Sequence, residues 1–382
     1  MQDIGIYIHI PFCKSKCFYC AFNSIDCTKA KVSSKLIDDY FKALSKEIIS
    51  KAELLSTSKC NSIYIGGGTP SYVDESYIKD VLYLIKNICN LSKDCEITIE
   101  INPGTLTLEK AKVYKEIGIN RVSLGMQTLN DNTLKKIGRM HTRKDFYDAI
   151  DILTKAKFDN ISCDYIFGLP DQTIESAESE FKELFKLPLK HISSYDLEVI
   201  EGTKLDFLVE NGYITLPTDD DIVDIREHVQ KMLKEQMFIQ YEISNYCKEG
   251  YHSRHNVNYW KQGSYIGLGV SASSYINGVR YTNIASIPEY IENINSFKKI
   301  YNIDEEMDKL STMKEYMMLG FRLASGVNTL EFKNKFKENL EDLFKQELDK
   351  CIENKLVVKE ENNYKLTTKG KELANVVFRE FI

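Results

Sequence analysis

The sequence predicts an α/β fold in which six consecutive strand and helix units build a parallel sheet, followed by a smaller α+β domain of winged-helix-like pattern. Three observations predict it. Over the first two hundred residues, β-branched apolar runs alternate with longer stretches whose apolar residues recur at helical spacing. Crossovers between parallel strands are almost always right-handed, so six such units curl into a barrel or an incomplete barrel, or wind doubly as an open sheet. From about Pro217 the alternation stops, and the chain ends in helical, charged segments closed by a short hairpin pattern.

The strands are predicted, in order, at 5–10, 62–66, 96–101, 121–126, 160–167 and 191–199. Helical patterns lie between and after them at 36–55, 72–91, 107–117, 143–157 and 174–187. In the first of these, Leu36, Ile37, Tyr40, Phe41, Leu44 and Ile48 form one apolar stripe. The segment 219–237 reads as a helix with Asp219, Asp220 and Asp221 in its first turn, where negative charge suits the helix dipole. An aromatic, Gly- and Ser-rich stretch follows at 241–281. Near the end, 351–358, Asn362-Asn363 and 364–367 read as helix and strand, turn, and strand. The expected division is 1–215, a connecting region 216–300, and 301–382.

A length of 382 residues buries ample core without disulfides, and 43% hydrophobic with 28% charged residues excludes a disordered or fibrous chain. The net charge of −6 gives no general attraction to phosphate backbones, so nucleic acid is not an expected partner. The longest stretch without a charge, 262–279, holds four glycines and four serines and does not read as a membrane span. With Asp3 and no basic segment before an apolar one, no export signal is visible, and a cytoplasmic location is expected.

Cys13, Cys17 and Cys20 crowd into eight residues as C-x3-C-x2-C. Thiolates so spaced on one loop suit an iron–sulfur cluster, and three ligands leave the fourth iron open. Zinc with Cys27 or His9 as fourth ligand, or plain core thiols, are the alternatives. Cys27, Cys60, Cys89, Cys95, Cys163 and Cys351 lie in or near apolar runs and read as core. The other special residues fall where βα folds place chemistry, at strand C-terminal ends: Gly66-Gly67-Gly68-Thr69-Pro70, Glu100 and Gln127, with Asp164 inside the fifth strand. The glycines read either as a tight strand-to-helix turn or as room for close backbone approach to a ligand.

The cysteine motif after a first strand and GGGTP after the second resemble the radical S-adenosylmethionine (SAM) enzymes. Tyr7-Ile-His9-Ile-Pro-Phe-Cys13, Glu100-Ile-Asn-Pro103, Gly125-Met-Gln127 and Arg139-Met-His141 are similar to one branch, the oxygen-independent coproporphyrinogen oxidases and the related HemW-type haem chaperones. The resemblance spans nearly the whole chain. It implies an incomplete (β/α)6 radical SAM barrel, a HemN-type C-terminal domain, and a [4Fe-4S] cluster on Cys13, Cys17 and Cys20 whose open iron SAM chelates. In the family, an electron from the cluster cleaves SAM to methionine and a deoxyadenosyl radical, the cofactor supplying the hard chemistry. Carried over, the SAM contacts are Tyr7, Tyr19, Gly67, Gly68, Thr69, Glu100, Gln127, Arg139 and Asp164. His9 is a candidate proton donor to substrate.

Two features separate the branches. The decarboxylases carry a fourth cysteine two residues after the third, where this chain has Phe22. His255-Asn256-Val-Asn-Tyr259-Trp260 resembles the HNxxYW motif of the haem chaperones. That resemblance implies haem as a ligand, with His255 on the iron and Tyr259 and Trp260 against the porphyrin. His252 and Cys247 are alternative iron ligands, and packing between domains is the structural reading of the motif. The function expected is haem binding and transfer to client haemoproteins, respiratory ones among them, with an electron donor for the cluster and a homodimer left open. Oxidative decarboxylation of coproporphyrinogen III is the rival, and radical chemistry on another substrate a third reading; whether the chain is an enzyme stays open.

Overall fold

Six parallel strands follow one another in sheet order: β1 (Gln2–Ile10), β2 (Ser58–Gly67), β3 (Asn90–Ile101), β4 (Arg121–Gln127), β5 (Asn160–Phe167) and β6 (His191–Asp196). They belong to a computed structural model that describes residues 2–382. Helices at Ser34–Ser50, Glu75–Ile88, Leu108–Glu116, Arg143–Lys155 and Ile174–Leu184 connect them and cover the outer face. The sheet does not close on itself. It is the incomplete (β/α)6 barrel that the resemblance implies.

Both edges of this sheet are extended by the stretch that reads in sequence only as aromatic and glycine-rich. On one side β7 (Ile239–Glu242) and β8 (Asn245–Cys247) continue from β6 in antiparallel fashion. On the other, β9 (Ser264–Leu268) lies parallel to β1, pairing Gly5 with Tyr265, and β10 (Ser273–Ile276), β11 (Val279–Asn283) and β12 (Tyr301–Glu306) add outward. These strands are three to six residues long and partly polar, too short for period-two alternation to stand out.

The chain keeps strands and helices apart for local reasons. Thr142, Thr173 and Thr218 each cap a helix, with the N3 side chain returning the bond to the cap backbone. Such caps are worth about 1 kcal/mol each. The predicted helix at 36–55 is broken at Lys51, whose ammonium turns back to Glu47 and to the Gly267 carbonyl, 3.1 Å away. Buried Glu47 also accepts from the Gly269 N–H, Asn283 Nδ2 and Tyr290 OH, at 2.8, 2.8 and 2.6 Å. One carboxylate thus ties the first helix to the added strands. The sixth strand ends at Asp196 rather than 199, and Val199 and Ile200 are exposed in the loop that follows.

A second core, with Met317, Phe321, Phe332, Phe344 and Phe378 among its members, forms after residue 312 around a three-stranded sheet of Val327–Asn328, Val357–Glu360 and Asn363–Leu366. The barrel meets it at Trp260, whose ring lies 4.2 Å beneath the Arg322 guanidinium, and at Gln262, which donates to the Thr312 carbonyl at 2.9 Å. Among the described residues no helix is long and apolar enough to cross a membrane.

Candidate functional site

Side chains alternate along a strand, so every second residue of β1 to β6 points into the barrel. The inward rows carry polar groups where a packed barrel would carry Val, Ile and Leu: Tyr64 on β2, Glu100 on β3, Arg121, Ser123 and Gln127 on β4, Asp164 on β5, and Ser193 and Tyr195 on β6. They line a cavity of about 610 Å³ that opens at the C-terminal ends of the strands.

The cysteine loop forms one wall. Cys13 is not in a free loop but in a two-residue strand, Phe12–Cys13, paired with Ile25–Asp26. The Asp26 carboxylate braces the turn between them, accepting from the Lys16 and Lys29 backbone N–H groups at 3.2 and 2.8 Å. Cys13, Cys17 and Cys20 all line the cavity, and none is in a disulfide. Thr69 Oγ1 donates to Cys13 Sγ at 3.5 Å, and Arg139 Nη1 to Cys17 Sγ at 3.4 Å. Three thiols facing one space, two of them met by donors, suit thiolates that each hold a different iron of one cluster. Cys27 is buried with its thiol toward the Ile25 carbonyl and does not line the cavity.

Behind the loop, the GGGTP turn is crowded as well as open. Gly67 has φ +107°, and a Cβ there would sit 2.4 Å from His9 Nδ1; a Cβ on Gly68 would sit 2.8 Å from the Ile10 carbonyl. Glycine is required at 67 by the positive φ and the adjacent His9 ring, and at 68 by the approach of the Ile10 and Phe12 backbone, whatever a ligand also needs. The Gly67 N–H donates to Glu100 Oε2 at 3.1 Å, and Tyr64 OH to Oε1 at 2.8 Å. Burial pushes the Glu100 carboxyl up to about 7 against those two bonds. Burial likewise raises Asp164, which accepts from Ser123 Oγ at 3.0 Å. Gln127 is held at φ +68°, a left-handed conformation that non-glycine residues rarely adopt.

Arg139 is fixed from two sides. Its Nη2 donates to the Gly125 carbonyl, and its Nε to His141 Nδ1 at 3.3 Å, while His141 Nε2 faces the Met126 carbonyl at 3.1 Å. Because a carbonyl only accepts, His141 carries its proton on Nε2 and presents a lone pair to Arg139. Burial and the adjacent guanidinium hold His141 down at about 3, so it stays neutral in this role.

Of the SAM contacts carried over, Tyr19, Gly67, Gly68, Thr69, Glu100, Gln127, Arg139 and Asp164 line the cavity; Tyr7 does not. His9, the candidate proton donor, is buried and engaged at both ring nitrogens. His9 Nε2 donates to the Asn23 carbonyl at 2.7 Å, its Nδ1 accepts from Tyr7 OH at 3.0 Å, and the ring is 4% exposed and outside the cavity lining. Tyr64, Arg121, Ser123, Ser193 and Tyr195 line the cavity without having been singled out in sequence, and Asn256 of the HNxxYW motif joins them.

Residues 7–184 match the Radical SAM superfamily and residues 307–373 the HemN C-terminal domain. The protein named heme chaperone HemW from Lactococcus lactis is 37% identical over 98% of this chain and 96% of its own length. The chain belongs to the HemW family. The Bacillus subtilis HemW is 36% identical over 98% of both chains, and the Escherichia coli HemW 30% identical over 100% of this chain and 99% of its own. Among solved structures, the coproporphyrinogen III oxidase HemN of E. coli superposes with a TM-score of 0.85 at 21% identity, covering 100% of this chain and 90% of that one. That similarity shows a shared fold. Membership of the radical SAM superfamily implies a [4Fe-4S] cluster and SAM as cofactors.

The HNxxYW residues of this HemW-family chain sit on a helix, Arg254–Trp260, lodged in the barrel near the strand N-terminal halves. His255 is 2% exposed. Its Nδ1 bonds Ser62 Oγ at 2.8 Å, its Nε2 bonds Tyr259 OH at 2.9 Å, and its ring stacks on Tyr64 at 5.2 Å. Burial, with Arg121 nearby, holds its pKa down at about 3. Iron ligation by His255 therefore requires one of these two bonds to break. Trp260 packs against Arg322 and Tyr259 against Tyr265. His252 is exposed beside Tyr241, and Cys247 is buried in β8.

Proposed function

We propose that this chain is a cytoplasmic haem chaperone that holds a [4Fe-4S] cluster on Cys13, Cys17 and Cys20, binds SAM in the barrel cavity, and passes haem to client haemoproteins. The observation that carries the reading is end-to-end similarity to proteins named heme chaperone HemW. The cavity supports it at the level of residues. Arg139 would balance a cluster thiolate, Glu100 would accept from the SAM ammonium, and Asp164 would take a ribose hydroxyl. A reduced [4Fe-4S] cluster beside SAM supplies one-electron cleavage of the sulfonium in this superfamily. This chain's own part is to orient SAM, exclude water from the cavity, and hold Arg139 through neutral His141.

Haem is placed at His255 on this reading, with Tyr259 OH or Ser62 Oγ exchanged for iron. An anaerobic haem titration of the cluster-reconstituted protein tests it, following the Soret band for wild type and His255→Ala. A saturable shift lost in the variant supports the assignment, and subsequent transfer to an apo-haemoprotein supports the chaperone role. An unchanged spectrum and affinity in His255→Ala removes His255 as ligand. Absence of specific binding in the wild type removes the chaperone reading.

A second reading, oxidative decarboxylation of a porphyrinogen propionate, is favoured by the full polar set around the cavity. Against it, Phe22 stands where the decarboxylases carry a fourth cysteine, and it lies 67% exposed at the cavity mouth. Vinyl product from coproporphyrinogen III under anaerobic reduction decides between the two.

A further inference from the structure

Arg121 is the first residue of β4 and, among the described residues, the largest fully buried side chain, 2% exposed. Its Nε has no hydrogen-bond partner. Among the described residues no ion pair and no other side-chain hydrogen bond holds its guanidinium. A buried, unpaired charge costs several kcal/mol, and proteins ordinarily compensate it with a carboxylate at contact distance. Here the carboxylates that act on it, Glu100 and Asp164, do so through space and are already engaged by Tyr64, Gly67 and Ser123.

The guanidinium lines the 610 Å³ cavity, two residues along β4 from Ser123 and four from Gly125. Asn256, from the helix that carries His255, lines the same space. The open side of Arg121 therefore faces the volume in which a ligand would sit. A planar fork of N–H donors matches a carboxylate with two parallel bonds, a geometry that a point charge does not offer.

We propose that Arg121 forms the floor of an anion subsite in the barrel cavity and binds the carboxylate of the bound ligand. The inference deepens the haem-chaperone reading and rests on its ligand classes: SAM carries one carboxylate and haem carries two propionates. Either source supplies the chemistry Arg121 lacks. In each case the ligand brings the counter-charge, so the apo protein carries a buried positive charge that binding neutralises.

The test compares two ligand pairs on the full-length, cluster-reconstituted protein: haem against haem dimethyl ester, and SAM against decarboxylated SAM. Wild type is set beside Arg121→Gln and Arg121→Lys. The expected result is a preference for the carboxylate form that falls at least about tenfold in Arg121→Gln for one pair, with Arg121→Lys in between; a charge-assisted pair of bonds is worth that much. The pair affected names the source. Identical preferences in wild type and Arg121→Gln, for both pairs, overturn the proposal. Should Arg121→Gln fail to fold, undiminished preferences in Arg121→Lys overturn it, as does a wild type that holds charged and uncharged forms equally in both pairs. A wild type that binds no haem removes the chaperone reading, while the SAM pair still decides Arg121.

Discussion

Glu96 caps the helix that carries His255. From β3 its Oε1 accepts the His255 backbone N–H at 3.1 Å, and its Oε2 accepts that of Arg254 at 3.0 Å. A charged acceptor at a helix N-terminus satisfies orphan donors and complements the dipole. The HNxxYW segment is thus bolted to the barrel by a residue 159 positions away.

Glu96→Gln keeps the shape and removes the charge. We expect it to lower stability by about 1 to 2 kcal/mol, in the range of lost caps and charged hydrogen bonds. Trp260, the one tryptophan, ends this helix, so its fluorescence in a urea titration reads the loss directly. An unchanged midpoint would show that the cap carries no load.

Acid should destabilise the protein through His255. Burial holds its folded pKa at about 3 against an ordinary 6.5, so between those values the unfolded chain binds a proton that the folded one refuses. Stability is then full above about 6.5 and falls as pH drops, by about 1.4 kcal/mol per unit from this residue. Buried His191, whose pKa is also driven down by burial, acts in the same direction. Urea midpoints measured between pH 7.5 and 5 should fall, with a shallower slope in His255→Gln. Equal slopes in the two proteins would contradict the assignment.

Cluster assembly should depend on three cysteines and no fourth. Cys13→Ser, Cys17→Ser and Cys20→Ser are each expected to lose the cluster's visible absorption and most bound iron after anaerobic reconstitution. Cys27→Ser, outside the cavity, should retain both. Loss of iron in Cys27→Ser would instead support a site of four cysteines.

SAM affinity should carry the titration of Glu100. With its carboxyl pushed up to about 7 by burial, the ionised form that accepts from an ammonium is lost as pH falls through that value. Isothermal titration at pH 8 and pH 6 should therefore show weaker binding at the lower pH. In Glu100→Gln binding should be about tenfold weaker at pH 8 and nearly flat with pH. A wild type equally flat would leave Glu100 without this role.

Much of the fold was legible because it is local. Alternation of strand and helix patterns, three cysteines within eight residues, and polar residues at strand ends are all short-range signals. The added strands β7 to β12 escaped for the opposite reason, since their pairing is with distant segments and their own runs are short. The site was half legible. Gln127 and Glu100 lie at or next to strand C-terminal ends and stand out, whereas Arg121 opens its strand and Ser123 and Tyr64 lie within theirs. Their even spacing from Gln127 and Gly66 was the available signal.

The sequence by itself determined the βα repeat and the cysteine motif, because each is written in spacing along one chain segment, while the branch of the family rested on the resemblance of short motifs to known ones. Only the tertiary structure decided which groups meet. That His9 donates to the Asn23 carbonyl 14 residues on and accepts from Tyr7, that His255 meets Ser62 across 193 residues, and that Arg121 is left facing a cavity are consequences of strands, a loop and a helix brought together in space. Hydrogen-bond partners and burial are set by those contacts, and they decide whether a polar side chain is engaged or free to take a ligand.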